Sequence, residues 1–256
     1  MDRENATNKK RHNRLFILIA ILLVVLLIGG FLFWENREKT SGEQVLAAPI
    51  TAPPSPSATL AVVVPKPTKP PILPNILPYY QQNPDTVGYI YIENTDVDYP
   101  VVYSGDNEFY LNYNFDKEAY EAGAIFLDFR CDIEDFGKTR NVIIYGHRMK
   151  DGTMFKSLTN YQNKTFFYDN PIIQFDTLYR ELEWEVFAVF IAHTDFYYID
   201  TYFPTDAKWM ALLAECQSRS MYETDVTLVP SDIVLTLSTC SAIENKRLVV
   251  MAKLIR

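Results

Sequence analysis

From about residue 79 onward the sequence predicts a mainly β fold, a closed or nearly closed barrel. Three observations carry that prediction. Short runs rich in Val, Ile, Tyr and Phe recur from Val87, each bounded by Gly, Asp, Asn and Pro clusters. Only two segments show helical spacing of apolar residues. No internal repeat divides the stretch into modules.

The strand signals, in order, are VGYIYIENTDVDYPVVY (87–103), AGAIFLDF (122–129), RNVIIYGH (140–147), EWEVFAVFIAH (183–193), DIVLTLSTC (232–240) and RLVVMAKLI (247–255). They are β-branched or aromatic, as a pleated and partly buried surface requires. Two helices interrupt them. In DGTMFKSLTNYQN (151–163), Met154, Phe155, Leu158 and Tyr161 recur at helical spacing after an Asp-Gly start. In TDAKWMALLAECQSRS (205–220), Trp209, Leu212, Leu213 and Cys216 form the same kind of stripe.

The segments before the barrel are of a different kind. Residues 1–14 carry five Lys/Arg against two acids, a net of +3, so the other residues account for −11 of the chain's −8. An acidic body repels phosphate backbones and excludes nucleic acid as a natural partner. Leu15 to Trp34 is an uncharged apolar run. As a helix at about 1.5 Å per residue it spans roughly 30 Å, the hydrocarbon thickness of a bilayer. The apolar core of a cleaved signal peptide is shorter, about 7–15 residues, and the small-residue VLAA at 45–48 lies well past the run. The expectation is a retained single-pass anchor at the cell membrane, with residues 1–14 cytoplasmic under the positive-inside rule and the rest of the chain extracytoplasmic.

Residues 35–78 read as a linker, because ten of the fifteen prolines fall between 49 and 78. Polyproline geometry at about 3.1 Å per residue gives thirty such residues a reach of roughly 90 Å. The predicted organisation is thus a basic N-terminus (1–14), an anchor (15–34), a tether (35–78) and a folded domain (79–256).

Three cysteines cannot all pair. Cys216 lies on the apolar stripe of its helix and reads as a small buried hydrophobe. Cys131 sits in a polar loop, RCDIEDFGK. Cys240 ends a strand in which Ile233, Leu235 and Leu237 share one face and Thr236, Ser238 and Cys240 the other. That pattern puts a thiol at an accessible strand end, on the surface opposite the core. A nucleophilic cysteine needs a base or a cation nearby, since the thiolate reacts and a free thiol has a pKa of about 8.5. His147 ends another strand and precedes a helix, His193 closes a third strand, and Arg247 opens the last one, seven residues after Cys240. These residues allow a Cys–His–Arg site; an idle strand-end cysteine remains the alternative on spacing alone.

YGHRM (145–149), TLSTC (236–240) and KRLVVMAKLI (246–255) together resemble the class B sortases, cysteine transpeptidases of Gram-positive bacteria. The resemblance runs over about residues 78–256 and includes GYIYIENTDVDYPVV, DNEFYLNYNFD and MFKSLTNY. It implies an eight-stranded sortase-type β-barrel, N-terminal helices around residues 72–83, and a long helix at about 205–220 before the strand that carries the cysteine. It implies that Cys240 attacks the carbonyl at the Thr of a C-terminal sorting motif on a secreted protein and forms a thioester. His147 would protonate the leaving amine and then deprotonate the amine of a peptidoglycan precursor. Arg247 would hold the substrate and stabilise oxyanion charge. Matching positions make Ser238, Thr239, Thr194, Tyr198, Ile199 and Leu111 substrate-binding candidates. Ser241 departs from the family pattern, in which an acidic residue often follows the cysteine.

No cofactor or metal is expected; Asp132, Glu134 and Asp135 read as a solvated acidic loop, and there is no phosphate-binding Gly-rich loop. Two other readings stand beside anchoring of surface proteins to the cell wall: a pilin polymerase that uses a pilin lysine as acceptor, and a sortase-like binding module without turnover.

Overall fold

The computed structural model describes residues 69–193, 195–240 and 246–256, with Cys240 described by its backbone. They belong to one compact unit that runs from Pro65 to Arg256. The run at 15–34 expected to cross a membrane lies outside the described residues, as do the tether up to residue 68, Thr194 and the loop 241–245. Among the described residues no helix is long and apolar enough to cross a membrane.

Eight strands form the barrel: β1 (Thr86–Tyr91), β2 (Asp98–Val102), β3 (Phe126–Leu127), β4 (Asn141–Tyr145), β5 (Ile172–Thr177), β6 (Glu183–His193), β7 (Val234–Cys240) and β8 (Lys246–Leu254). The sheet closes in the order β1-β2-β3-β4-β7-β8-β6-β5, with β5 returning to pair with β1. Closure removes the free edges that would otherwise invite pairing with other chains. Two seams are parallel, β2 with β3 and β4 with β7; the other pairings are antiparallel.

Among the described residues the helices are α1 (Leu77–Gln82), α2 (Phe109–Asn112), α3 (Lys164–Asp169) and α4 (Asp206–Arg219), with a 3₁₀ helix at Phe155–Gln162. The segment 151–163 therefore tightens into a 3₁₀ helix, and only the residues after it are α-helical. Asn163 caps that second helix, its side chain accepting from the Phe166 amide. The strand β5 carried no signal long enough to be read in sequence. Its buried positions Ile173, Phe175 and Thr177 alternate over only six residues, directly after Pro171.

The barrel interior holds Ile90, Val101, Ile144, Phe175, Trp184, Leu235, Leu237 and Val250, all without solvent exposure. A second apolar cluster lies outside the wall, where Phe187, Phe190, Val249 and Met251 meet Trp209, Leu213 and Cys216 of α4. Strand β8 is thus buried on both faces, which explains why its sequence is a continuous apolar run and not an alternation.

The described end of the Pro-rich stretch, residues 69–78, packs on the barrel. Leu73 donates to the Leu178 carbonyl at 2.8 Å, Ile76 is fully buried, and Lys69 pairs with Glu134 at 2.6 Å. The packed unit thus includes ten residues assigned above to the tether, because Leu73 and Ile76 give that end an apolar surface to bury.

Candidate active site

The strand register brings the three catalytic candidates to one rim of the barrel. In the parallel seam Tyr145 of β4 lies opposite Ser238 of β7. His147 is two residues beyond the first, and Cys240 is two residues beyond the second, in the same direction. On the other side of β7, Cys240 lies opposite Arg247 of β8. Paired strands are about 4.8 Å apart, so the Cys240 backbone has Arg247 beside it across one seam and the end of β4 across the other. Residues 93 and 100 positions apart along the chain become neighbours through a parallel seam and its antiparallel continuation.

His147 is fixed through its backbone and its ring. Its carbonyl accepts from the Phe155 amide at 2.9 Å, while the preceding Gly146 amide reaches the Ser238 carbonyl at 3.4 Å. Gly146 permits that approach: a Cβ there would lie 2.4 Å from the Ile125 side chain and 2.8 Å from the Phe155 ring. The ring's Nε2 is 2.9 Å from the Leu111 carbonyl. A carbonyl oxygen can only accept, so Nε2 carries a proton and Nδ1 is the nitrogen left to exchange one.

A groove of about 560 Å³ runs along this rim. Among the site candidates, Leu111, His147, Tyr198, Ile199, Ser238, Thr239 and Arg247 all line it. Thr194 lies outside the described residues. The groove also contains residues that sequence reasoning missed: Asn107, Tyr145, Phe196 and Tyr197. His193, singled out in the sequence, also lines the groove, exposed at the end of β6 and opposite Lys246.

One expectation needs correction. The hydroxyl face of β7 is not open surface, because Thr236 is fully buried and Ser238 is 3% exposed. The loop after β6 covers that face and is tied to it. Tyr198 Oη and Ser238 Oγ are 2.7 Å apart, Thr236 donates to Asn141 Oδ1 at 2.6 Å, and Asn141 Nδ2 donates to the Tyr198 and Asp200 carbonyls. Thr239 faces the other way, and its buried Oγ1 has no hydrogen-bond partner among the described residues.

Arg247 is half-buried, with Nη1 3.4 Å from the carbonyl of Lys246. Among the described residues no carboxylate forms an ion pair with it.

Beneath the groove lies a buried carboxylate that the sequence did not flag. Asp128 Oδ1 accepts from the Arg130 amide at 2.9 Å and from Arg130 Nε at 2.8 Å. Its Oδ2 accepts from Arg130 Nη2 at 2.7 Å, Tyr145 Oη at 2.9 Å and Asn107 Nδ2 at 3.0 Å. Burial would raise its pKa, but the hydrogen bonds from Arg130 and Tyr145 outweigh it and hold the carboxyl below the usual carboxylate range. Burial, followed by the Asp128 charge, pushes the Tyr145 phenol up, so it stays a donor.

The other two cysteines are free and buried. Burial pushes each thiol up to about 12, so neither resembles a nucleophile. The acidic loop is occupied by lysines: Lys138 pairs with Asp132 and Asp135, and Lys69 with Glu134.

A closed mixed barrel whose rim brings His147 and Arg247 beside the Cys240 backbone position has the framework of a cysteine acyl-transfer protein. A sortase-domain family profile matches residues 90–255. Sortase B of Listeria monocytogenes is 40% identical over 176 residues, covering 68% of this chain and 71% of the relative. Sortase B of Staphylococcus aureus is 36% identical over 177 residues, covering 68% and 72%. A crystal structure of a Staphylococcus aureus sortase B–substrate complex superposes with a TM-score of 0.68 at 35% identity, covering 73% of this chain and 87% of that one. The chain belongs to the sortase family, in its class B, and is a cysteine transpeptidase.

Proposed function

We propose that this transpeptidase cleaves a C-terminal sorting motif of secreted proteins at its Thr and joins the new carboxyl end to an amino group of a peptidoglycan precursor. The observation that carries this reading is the convergence of His147, Arg247 and the Cys240 backbone position on one groove. The Cys240 thiolate attacks the Thr carbonyl carbon, and the carbonyl oxygen gains charge as the C–S bond forms. Arg247 donates to that oxygen. His147, protonated at Nδ1, gives a proton to the departing amine as the peptide bond breaks, leaving a thioester and a neutral ring. The same nitrogen then takes a proton from the acceptor amine as it displaces the thiolate. Leu111, Tyr198, Ile199, Ser238, Thr239 and Thr194 would line the path of the sorting peptide. The Leu111 carbonyl would keep the histidine's working nitrogen turned towards the reaction.

The test is cleavage of quenched sorting peptides drawn from secreted proteins of the same organism, with and without an added amine acceptor. Wild type should accumulate a thioester and transfer it, and Cys240→Ala should do neither while keeping its circular dichroism spectrum. Turnover by Cys240→Ala would overturn the mechanism, and binding without thioester would favour a non-catalytic module.

The reading includes a single-pass membrane anchor at residues 15–34, supported by its uncharged length and the basic residues before it. Protease added to wall-stripped cells should release the catalytic domain by cutting between residues 35 and 68. A mature N-terminus near Ala48 would replace the anchor with a cleaved leader.

A further inference from the structure

The groove's two walls come from distant parts of the chain, and one partly buried ion pair holds both. On one side Asp128 Oδ2 takes the Asn107 amide nitrogen, and Asn107 Oδ1 in turn accepts from the Phe129 amide at 3.0 Å. Asn107 leads into α2, which carries Leu111 and the carbonyl that holds the His147 ring. The same carboxylate oxygen takes the Tyr145 hydroxyl, two residues before His147. On the other side Arg130 Nη1 donates to Tyr197 Oη at 2.9 Å, and Nη2 donates to the Ile199 carbonyl at 2.9 Å. Four groove residues, Asn107, Tyr145, Tyr197 and Ile199, thus hang on one carboxylate–guanidinium unit that does not itself line the groove.

We propose that Asp128 and Arg130 are positioning residues for the transfer reaction. Asp128 sets the wall that orients His147, and Arg130 sets the opposite wall, which receives the peptide. The chemistry of the pair fits that task. Asp128 is fully buried and faces five donor contacts, more than a protonated carboxyl could accept. Arg130 supplies a planar fork that can face the carboxylate with one edge and two separate groups of the loop after β6 with the rest. An ion pair retained only for stability needs none of these further contacts, since a buried pair often contributes little against an apolar substitute.

The two residues predict different kinetic failures. Asp128→Asn turns one acceptor oxygen into a donor that faces the Asn107 amide and the Tyr145 hydroxyl, releasing the wall that orients His147. Because misplacing a catalytic group by about 1 Å can cost on the order of 10²-fold, kcat should fall at least tenfold with a smaller change in KM. Alkylation of Cys240 by iodoacetamide, which involves no peptide, should slow in parallel. Arg130→Lys keeps the charge but loses the fork, so KM for a sorting peptide should rise about tenfold while kcat stays within about twofold.

The experiment measures Tm, kcat, KM and the alkylation rate for full-length wild type and both variants, with rates taken per titrated thiol. The proposal rests on the transpeptidase reading only for its peptide assays. If no sorting peptide is cleaved by wild type, that reading fails, while the alkylation rate still tests the positioning of His147. Lower Tm with unchanged kcat, KM and alkylation rate would overturn the proposal, leaving the pair a purely structural one. Should Asp128→Asn not fold, Asn107→Ala severs the same link from the groove side, and an unchanged alkylation rate in that variant would overturn it equally.

Discussion

Arg247 and His147 flank the nucleophile's strand from opposite sides, but they are held to different degrees. His147 has its ring, its carbonyl and the preceding amide all engaged. Among the described residues Arg247 has one long contact, to the carbonyl next to it in sequence. A side chain so lightly held matters only if the substrate completes its hydrogen bonding, and that makes its geometry more important than its charge. Arg247→Lys should therefore not restore function. Lysine keeps the charge and loses the planar donors that can meet a carbonyl oxygen from two directions, and removing one oxyanion donor commonly costs about 10²–10³ in turnover. The loss should appear in kcat more than in KM. Near-normal peptide cleavage by Arg247→Lys and Arg247→Ala, with intact circular dichroism, would assign the oxyanion to another donor. At this scale the sequence was informative where a residue lies at or just beyond a strand end, as Cys240, His147 and Arg247 do, because strand alternation and turn signals locate such ends. Asp128 was illegible for the opposite reason. Its partners Asn107, Tyr145 and, through Arg130, Tyr197 are scattered over ninety positions, and the run AGAIFLDF that contains it reads simply as a strand end.

Among the elements, α4 shows most directly how local signals and packing agree. Thr205 caps it by accepting from the Lys208 amide, Asp206 sits in the first turn and Arg219 in the last, each sign suited to its end of the helix dipole. Arg140 pairs with Asp206 at 2.7 Å and ties that end to the start of β4. Trp209, Leu213 and Cys216 are fully buried against Phe187, Phe190, Val249 and Met251. Cys216, read in the sequence as a small buried hydrophobe, is a packing residue of this layer. Cys216→Ala should cost stability by about 1 kcal/mol, as a small truncation of a tight core, and leave peptide cleavage unchanged. Denaturant unfolding and the cleavage assay together check it, and a loss of activity with full stability would give Cys216 a role that its burial denies. The helix was readable in full because its 3.6-residue stripe is long. The strand β5 and the four-residue α2 were not, because a short element offers too few turns or alternations to stand out, and each is fixed by its neighbours. For β5 these are the antiparallel partners β1 and β6.

For the whole molecule, the position of the C-terminal strand in the closed sheet matters more than its position in the chain. Strand β8 lies between β7 and β6, paired along nearly its full length with both. Leu248, Val250 and Ala252 fill the barrel while Val249 and Met251 meet the layer beneath α4. Removing residues 246–256 would open two edges, empty both apolar clusters of their shared strand and delete Arg247. Each buried Val, Leu or Met side chain contributes about 1.5–3 kcal/mol, so the four such residues lost from β8 are together comparable to a domain's whole net stability of about 5–15 kcal/mol. The shortened chain should be insoluble or lack a cooperative unfolding transition. Removing residues 1–68 should do neither, because the described unit closes its barrel and its clusters without them. The two deletions, compared by solubility, circular dichroism and thermal unfolding, separate a barrel held by its closure from one that depends on its N-terminal extension. A folded chain without β8 would mean that β6 and β7 can close on each other directly. An unfolded chain without residues 1–68 would mean that the tether contributes to the core and is not simply a spacer.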